Sequence, residues 1–316
     1  MRISIRLKTV VEIGLRAIKL TFNKYIKLCR THLKLTQAEL VFELYNFDTL
    51  FHKLDVNTLG RWERAVTKAP LSKQVKILHY FFQKLDFYFP FLDMNSIKQI
   101  EEKFSTESVH KFLGKHKKIV MSFPTFHSNK DDFTILHARD SRHKETAFAT
   151  AINICDDMYG SGRFYSHERL ESFSNHPSTL FLLCEYKEQY FGHAFFIYLK
   201  QDIYTKVMNF EMDYMDITKK DFASKDEAAS YFSMGLFAMN EKAIALLFIR
   251  LYAHLIVEQK KILEVGTLIS DGDAINIAKN FGLKESLQEK DLIAYSAPTA
   301  DILLTEQIVK MLFSSF

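Results

Sequence analysis

Apolar side chains in the first part of the chain recur at helical spacing. Between about residues 15 and 35 they fall on one stripe, three or four positions apart, as on the buried face of an amphipathic helix. Thr36 then precedes a second apolar-rich segment, and Glu39 follows three residues later, which is the pattern of a capping box. The pattern therefore predicts a helical domain at 1–92, followed by a linker helix at 93–129.

The hydrophobic pattern changes in the second part of the chain. Aromatic and aliphatic residues stand on both sides of a short polar turn in "TLFLLCEYKEQYFGHAFFIYLK" (179–200), which predicts a β-hairpin. The elements after it are predicted as a strand at 231–239, a long helix at 240–261, a buried strand at 262–270 and a helix at 271–283. Because strands alternate with helices here, we expect an α/β domain with a mixed sheet at 130–316. The predicted fold class is thus α+β with two domains, an all-α domain followed by this α/β domain.

Charge is divided unevenly along the chain. Residues 1–90 hold 16 Lys and Arg against 7 Asp and Glu, whereas the remaining residues hold 26 against 31. A basic segment ahead of a mildly acidic one indicates that the first part contacts a polyanion such as nucleic acid. A solvated basic surface explains the same charge equally well.

Composition and cysteine spacing exclude several classes of protein. The chain is 47% hydrophobic and 25% charged, which is typical of a globular protein. It has no apolar run long enough to cross a bilayer, and charged residues interrupt its N-terminal segment. Cys29, Cys155 and Cys184 are widely spaced, so we interpret them as small buried side chains and expect no disulfide and no metal site. The expected location is cytoplasmic, without a membrane partner.

The segment "NTLGRWERAVTKAP" (57–70) contains the only tryptophan of the chain. Together with "RTHLKLTQAEL" (30–40), it resembles the Cro/repressor-type helix-turn-helix family, also called XRE. The resemblance implies that one helix crosses the DNA backbone and that the next enters the major groove. The DNA-binding residues that it implies are Val56, Asn57 and Arg61 at base edges, and Gln37, Thr58, Arg64 and Lys68 near phosphates. It also implies a structural ion pair between Arg30 and Glu63.

The other side of the predicted recognition helix carries Leu59 and Trp62, which we expect to pack on the core of the domain. The family joins its second and third helices by a short turn, but "NFDTLFHK" (46–53) lengthens this connection. The resemblance therefore does not determine the angle at which the recognition helix lies. A helical bundle that does not bind DNA is the alternative interpretation.

Two segments of the second domain resemble the GNAT-type N-acetyltransferase fold. The hairpin at 179–200 is similar to its central hairpin, with Gly192 after the turn, and "DGDAINIAKNFGL" (271–283) is similar to its last helix. The resemblance implies a Gln/Arg-x-x-Gly-x-Gly/Ala turn before the long helix, whose amides hold the cofactor pyrophosphate. The segment here, "AMNEKAIALL" (238–247), contains no glycine, and the family's general-acid tyrosine falls on Ala278. We therefore expect no acetyl transfer, no catalytic residue and no cofactor.

The function expected from these resemblances is a sequence-specific, DNA-binding transcriptional regulator. Its GNAT-like domain is expected to sense a small-molecule ligand, to dimerise or to contact a partner, and the expected partners are a double-stranded DNA operator and a second copy of the chain. A ligand pocket is predicted at Phe237, Met239 and Val265, where the fold tends to splay. The alternative is an active N-acyltransferase that uses acyl-CoA and carries an accessory DNA-binding domain. A third interpretation is an interaction protein that binds a regulator through its acidic half.

Overall fold

The computed structural model describes residues 21–85, 97, 101, 133–159, 165–270 and 272–313. The chain forms two compact units, one made of Met1–Lys103 with Leu303–Phe316 and the other of Phe104–Ile302. We call them the helical unit and the sheet unit. This division differs from the sequence-based domains in its last segment, which belongs to the helical unit. The predicted linker helix at 93–129 lies outside the described residues, apart from 97 and 101.

The described helices and strands are numbered in chain order. The helices are α1 Phe22–His32, α2 Gln37–Phe47, α3 Val56–Glu63, α4 Leu71–Leu85, α5 Lys144–Tyr159, α6 His167–Ser174, α7 Gln201–Met208, α8 Glu241–Val257, α9 Gly272–Phe281, α10 Thr299–Leu303 and α11 Glu306–Phe313. The strands are β1 Phe133–His137, β2 Thr179–Tyr186, β3 Gln189–Leu199, β4 Ala229–Ala238, β5 Ile262–Ile269, β6 Lys284–Glu289 and β7 Leu292–Pro298. None of the described helices is long and apolar enough to cross a membrane.

Polar side chains define where the helices of the helical unit begin and end. The Thr36 hydroxyl accepts from the Glu39 amide at 3.2 Å and the Glu39 carboxylate accepts from the Thr36 amide at 2.6 Å, which confirms the predicted capping box. The Asp55 carboxylate likewise accepts from the Thr58 amide at 2.6 Å at the start of α3. The last helical residue of α3 is Glu63, because Ala65 adopts a left-handed conformation with φ of 58°.

The core of the helical unit includes the C-terminal helix. The Phe313 ring of α11 lies 5.5 Å from the Phe22 ring and 5.6 Å from the Tyr25 ring, both on α1. Leu59 and Trp62 of α3 are buried, with 0% and 4% of their surface exposed. Residues from the two ends of the sequence thus complete one apolar core.

The sheet unit contains a seven-stranded mixed sheet in the order β1-β2-β3-β4-β5-β7-β6. Among its described strands, β4 and β5 pair in parallel and every other neighbouring pair is antiparallel. Helix α8 forms the crossover between the two parallel strands, as a parallel connection requires. The predicted hairpin is confirmed as β2 and β3, and the predicted order of strand, helix, strand and helix is confirmed as β4, α8, β5 and α9.

Helices cover both faces of this sheet. Residues of α5, α6 and α7 share one apolar cluster with alternate residues of β3, such as Phe195 and Ile197. Helices α8 and α9 contribute no residue to this cluster and contact each other instead, with the Phe248 and Phe281 rings stacked at 5.4 Å. The face that carries α5–α7 is called the front face below, and the face that carries α8 and α9 is called the back face.

Candidate functional site

Strands β4 and β5 separate part of the way along the sheet. Their pairing runs from Ala229↔Ile262 to Phe232↔Gly266 and then stops. Just beyond that point β4 contains a bulge, since Phe196 pairs with Ser233 while Phe195 pairs with Gly235. Met234 is therefore an extra residue, and such a bulge bends its strand away from the neighbouring one. We call the gap between residues 233–238 and β5 the split.

The split presents backbone donors from β4. The Met239 amide donates to the Phe191 carbonyl of β3 at 2.8 Å. Because successive amides of a strand point to opposite edges, the amides of Leu236 and Ala238 point the other way, toward β5. They lie where β5 no longer pairs with β4, so they are available to a ligand in the split.

A cavity of about 440 Å³ occupies the split and continues to both faces of the sheet. Its front-face lining includes Cys155, Tyr165 and His193, whereas its back-face lining comes from α8 and α9. Of the three residues predicted to form a ligand pocket, Phe237 and Val265 line this cavity. Met239 packs instead against the front-face cluster.

His193 is the titratable group buried most deeply beside the cavity. Only 2% of its surface is exposed, and this burial lowers its pKa to about 4, so the imidazole is neutral at pH 7. Its Nδ1 lies 2.6 Å from the Tyr190 hydroxyl, and Tyr190 also forms a hydrogen bond with Thr150. Burial raises the pKa of Tyr190, which therefore keeps its proton.

Tyr165 connects the front-face helices to the bulge. Its hydroxyl donates to the Met234 carbonyl at 2.5 Å, and its ring is buried against the front-face cluster. The contact fixes the extra residue of β4 at the mouth of the split. It therefore helps to hold β4 in the conformation that opens the cavity.

Cys155 also lines the cavity, but its thiol is poorly suited to act as a nucleophile. Burial, together with the negative charge of Asp156, raises the pKa of this thiol to about 12. A thiol rather than a thiolate is present at neutral pH, and the thiolate is the nucleophilic form.

The turn between β4 and α8 keeps the spacing of the family's phosphate-binding turn with alanine in place of glycine. Asn240, Ala243 and Ala245 occupy the first, fourth and sixth positions of that motif. Both alanines are fully buried. The Asn240 side chain accepts from the Ala243 amide at 2.8 Å and so caps the N-terminus of α8.

The residues that the helix-turn-helix resemblance assigned to DNA lie on the helical unit. The exposed members of the set are Val56, Asn57, Arg61, Arg64 and Lys68, and the half-buried members are Gln37 and Thr58. Arg30 and Glu63 meet as a two-pronged ion pair, with distances of 2.6 Å from Nε to Oε1 and 3.0 Å from Nη2 to Oε2. The Gln37 amide donates to the same carboxylate at 2.7 Å.

The sequence analysis missed His193 and Tyr165. His193 stands in "YFGHAFF", and an imidazole between aromatic and small side chains is a signal that is visible without a structure. Tyr165 follows a glycine-containing segment and has no local pattern of its own. Its position at the bulge arises from a contact between residues 69 positions apart in the sequence.

Comparisons with known proteins found no family model and no curated protein that matches the chain. Among solved structures, it is similar to FeeM, an N-acyl amino acid synthase from uncultured soil microbes, with 10% identity over 54% of this chain and 91% of that chain, and a TM-score of 0.37. It is also similar to Arabidopsis thaliana Naa50 in complex with the bisubstrate analogue CoA-Ac-MVNAL, with 14% identity, coverage of 52% and 98%, and a TM-score of 0.34. The Campylobacter jejuni N-acetyltransferase PseH matches with 13% identity, coverage of 53% and 98%, and a TM-score of 0.31.

These findings correct two expectations from the sequence. The expected main function, a DNA-binding transcriptional regulator, is wrong, because the three structures are acyl- and acetyltransferases and none is a helix-turn-helix protein. The expectation of no cofactor is also wrong, since the Naa50 structure holds an analogue derived from CoA.

Proposed function

We propose that the sheet unit is an N-acyltransferase that moves an acyl group from an acyl-CoA thioester to an amine. The observation that carries the proposal is the cavity of about 440 Å³, which passes through the sheet where β4 and β5 separate. A passage open to both faces lets two substrates approach one point from opposite sides. Holding two reactants in this way supplies much of the rate enhancement of a bimolecular transfer.

The split fits the extended, amide-bearing arm of CoA. An added Cβ at Gly235 would meet no atom within 4 Å, so the backbone beside it is open to close approach. The outward amide of Ala238 can pair with such an arm as an added strand would. Nearer the protein surface, the N-terminus of α8 favours the negative charge of a diphosphate.

The residues at the split have separate roles in the proposed transfer. A bound acyl-CoA supplies an activated carbonyl: the amine nitrogen forms the new C–N bond, the C–S bond breaks, and CoA leaves as a thiol that takes up a proton. The Leu236 amide, next to the bulge, is placed to donate to the carbonyl oxygen, where negative charge develops. His193, as a neutral imidazole, can accept a hydrogen bond from the attacking amine, and the proton that the amine loses balances the one that the thiol takes up.

The contacts of His193 suit a hydrogen-bond acceptor. When Nδ1 carries the proton of the neutral ring, it donates to the Tyr190 hydroxyl, and Nε2 is then an acceptor. Tyr190 in turn contacts Thr150, whose hydroxyl donates to the Thr146 carbonyl at 2.8 Å. This chain fixes the orientation of the ring. Its lowered pKa keeps the imidazole unprotonated well below neutral pH.

Titration calorimetry of the full chain with acetyl-CoA and octanoyl-CoA tests the proposal, followed by an assay of thiol release with a mixture of amino acids and polyamines. We expect binding and amine-dependent thiol release with at least one of the two thioesters. Gly235→Val places a side chain in the split and is expected to weaken binding by about tenfold or more.

Gly272→Val is the matched control, because an added Cβ at Gly272 also meets no atom within 4 Å but this residue does not line the cavity. It is expected to bind as the wild type does. A wild-type protein that binds neither thioester and releases no thiol overturns the proposal. If the two variants bind acyl-CoA equally well, the acyl-CoA does not lie in the split.

A further inference from the structure

The cavity has a part on each face of the sheet, and we call these parts the front-face limb and the back-face limb. The side chains that line the two limbs differ in chemistry. The front-face limb carries the polar groups of Tyr165, His193 and Cys155. The back-face limb, under α8 and α9, is lined by apolar side chains: Phe248, Leu251, Ile277, Ala278, Phe281 and Leu283. The back-face limb therefore favours a hydrocarbon over a polar or charged group.

The cavity is much larger than a two-carbon acyl group requires. A methylene group occupies about the volume of one water molecule in the liquid, roughly 30 Å³. If half of the 440 Å³ is given to the back-face limb, it holds a chain of roughly seven carbons. An acetyl group would leave most of this apolar limb without packing partners.

The alanine at position 278 contributes to this size. The GNAT resemblance implies a tyrosine at this position, and a phenol ring there would fill part of the limb. Ala278 is instead 4% exposed and lines the cavity. Alanine instead of tyrosine at this position first indicated a lost activity. In the structure, the same alanine enlarges the back-face limb.

We infer that the acyl donor carries a medium-chain fatty acyl group, whose tail occupies the back-face limb while the amine enters from the front face. This inference rests on the proposed function, because it assigns the substrate class of that site. The opposite arrangement would bury an ammonium group among the six apolar side chains, far from His193. Burial of an unpaired charge in such surroundings is strongly unfavourable.

A chain-length series tests the inference on the full chain. Acetyl-, hexanoyl-, octanoyl- and decanoyl-CoA are compared by calorimetric Kd and by kcat/KM for thiol release. Each methylene that enters the limb is expected to raise kcat/KM by up to about fourfold, so octanoyl-CoA exceeds acetyl-CoA by about 100-fold or more.

Ala278→Leu shortens the limb and is expected to lower octanoyl-CoA affinity by about tenfold while leaving acetyl-CoA affinity unchanged. Ala274→Leu is a second variant, since Ala274 lines the same limb and is only half-buried, so the substitution strains the core less. Asn276→Leu adds the same side chain to an exposed position of α9 and is expected to have no effect.

Two outcomes separate this inference from the proposed function. Equal Kd and kcat/KM for acetyl- and octanoyl-CoA, with no response to Ala278→Leu or Ala274→Leu, overturn the inference and leave an acyltransferase of short-chain specificity. Failure of every thioester to bind overturns the proposed function and the inference with it.

Discussion

The Tyr165 hydroxyl donates a hydrogen bond of 2.5 Å to the Met234 carbonyl, at the extra residue of the β4 bulge. Tyr165→Phe removes the donor and leaves a buried carbonyl without it, which costs about 1–3 kcal/mol of folding free energy. We expect the bulge to shift and kcat to fall by about tenfold, with a smaller change in KM. Urea unfolding and the thiol-release assay measure the two effects.

Tyr186→Phe is the control for this variant, because Tyr186 packs on Phe133 and does not line the cavity. It removes a hydroxyl from the same sheet and should leave kcat unchanged. Full activity in Tyr165→Phe would show that the bulge keeps its shape without this hydrogen bond.

Two buried histidines predict a loss of stability in mild acid. Burial lowers the pKa values of His193 and His254 from 6.5 to about 4. Below pH 6.5 the unfolded chain binds protons that the folded chain does not, so stability is complete above that pH and falls as pH decreases toward 4. Each histidine accounts for about 3 kcal/mol over this window. Urea unfolding at pH 7.5, 6 and 5 measures the slope.

His254→Gln is the matched variant that tests how much His254 contributes to this dependence of stability on pH. Its amide can keep the contact with the Tyr231 hydroxyl, which lies 2.9 Å from Nε2 of His254, but it does not titrate. We expect the loss of stability between pH 7.5 and 5 to shrink by about half. An unchanged slope would assign the acid sensitivity to other groups.

The carboxylate of Glu63 joins three elements of the helical unit through Arg30 and Gln37. Glu63→Gln leaves the Arg30 guanidinium, whose side chain is 12% exposed, without its counterion. The expected loss of folding free energy is about 3 kcal/mol. Glu43→Gln is the control, since the Glu43–Lys84 pair is 38% and 48% exposed and such pairs contribute little. Similar losses in both variants would mean that the Glu63 network has no special structural role.

Phe313 ties the C-terminal helix to the helical unit. Phe313→Ala removes the ring that contacts Phe22 and Tyr25, and we expect it to cost about 3–5 kcal/mol. Lys310→Ala, at an exposed position of the same helix, is expected to change stability by less than about 0.5 kcal/mol. Unfolding followed by Trp62 fluorescence reports on the helical unit specifically. An unchanged midpoint in Phe313→Ala would show that α11 does not stabilise that unit.

Local patterns in the sequence predict the individual elements well. Alternation around the polar turn predicts the β2–β3 hairpin, and the hydroxyl of Thr36 with the carboxylate of Glu39 predicts the start of α2. These features depend on residues a few positions apart. The order of β4, α8, β5 and α9 follows from the same local periodicity.

The site depends on contacts that no local pattern encodes. The split requires a bulge at Met234, and the pairing of β3 with β4 on either side of it is visible only in the folded sheet. His193 lies within a run of aromatic residues, and sheet packing explains such a run as well as a cavity does. The resemblance to a DNA-binding family rested on a motif that includes Leu59 and Trp62. Both side chains are buried, as they would be in any helical core, so the motif alone could not decide the function.

The return of α11 to the helical unit also has a consequence for synthesis on the ribosome. Domains usually fold in the order in which they emerge, with the N-terminal one first. Here α1–α4 emerge early, but the ring of Phe313 that completes their core is translated after the whole sheet unit. The sheet unit can therefore fold during translation before the core of α1–α4 is complete. That core gains the Phe313 ring only after residue 313 has left the exit tunnel of the ribosome.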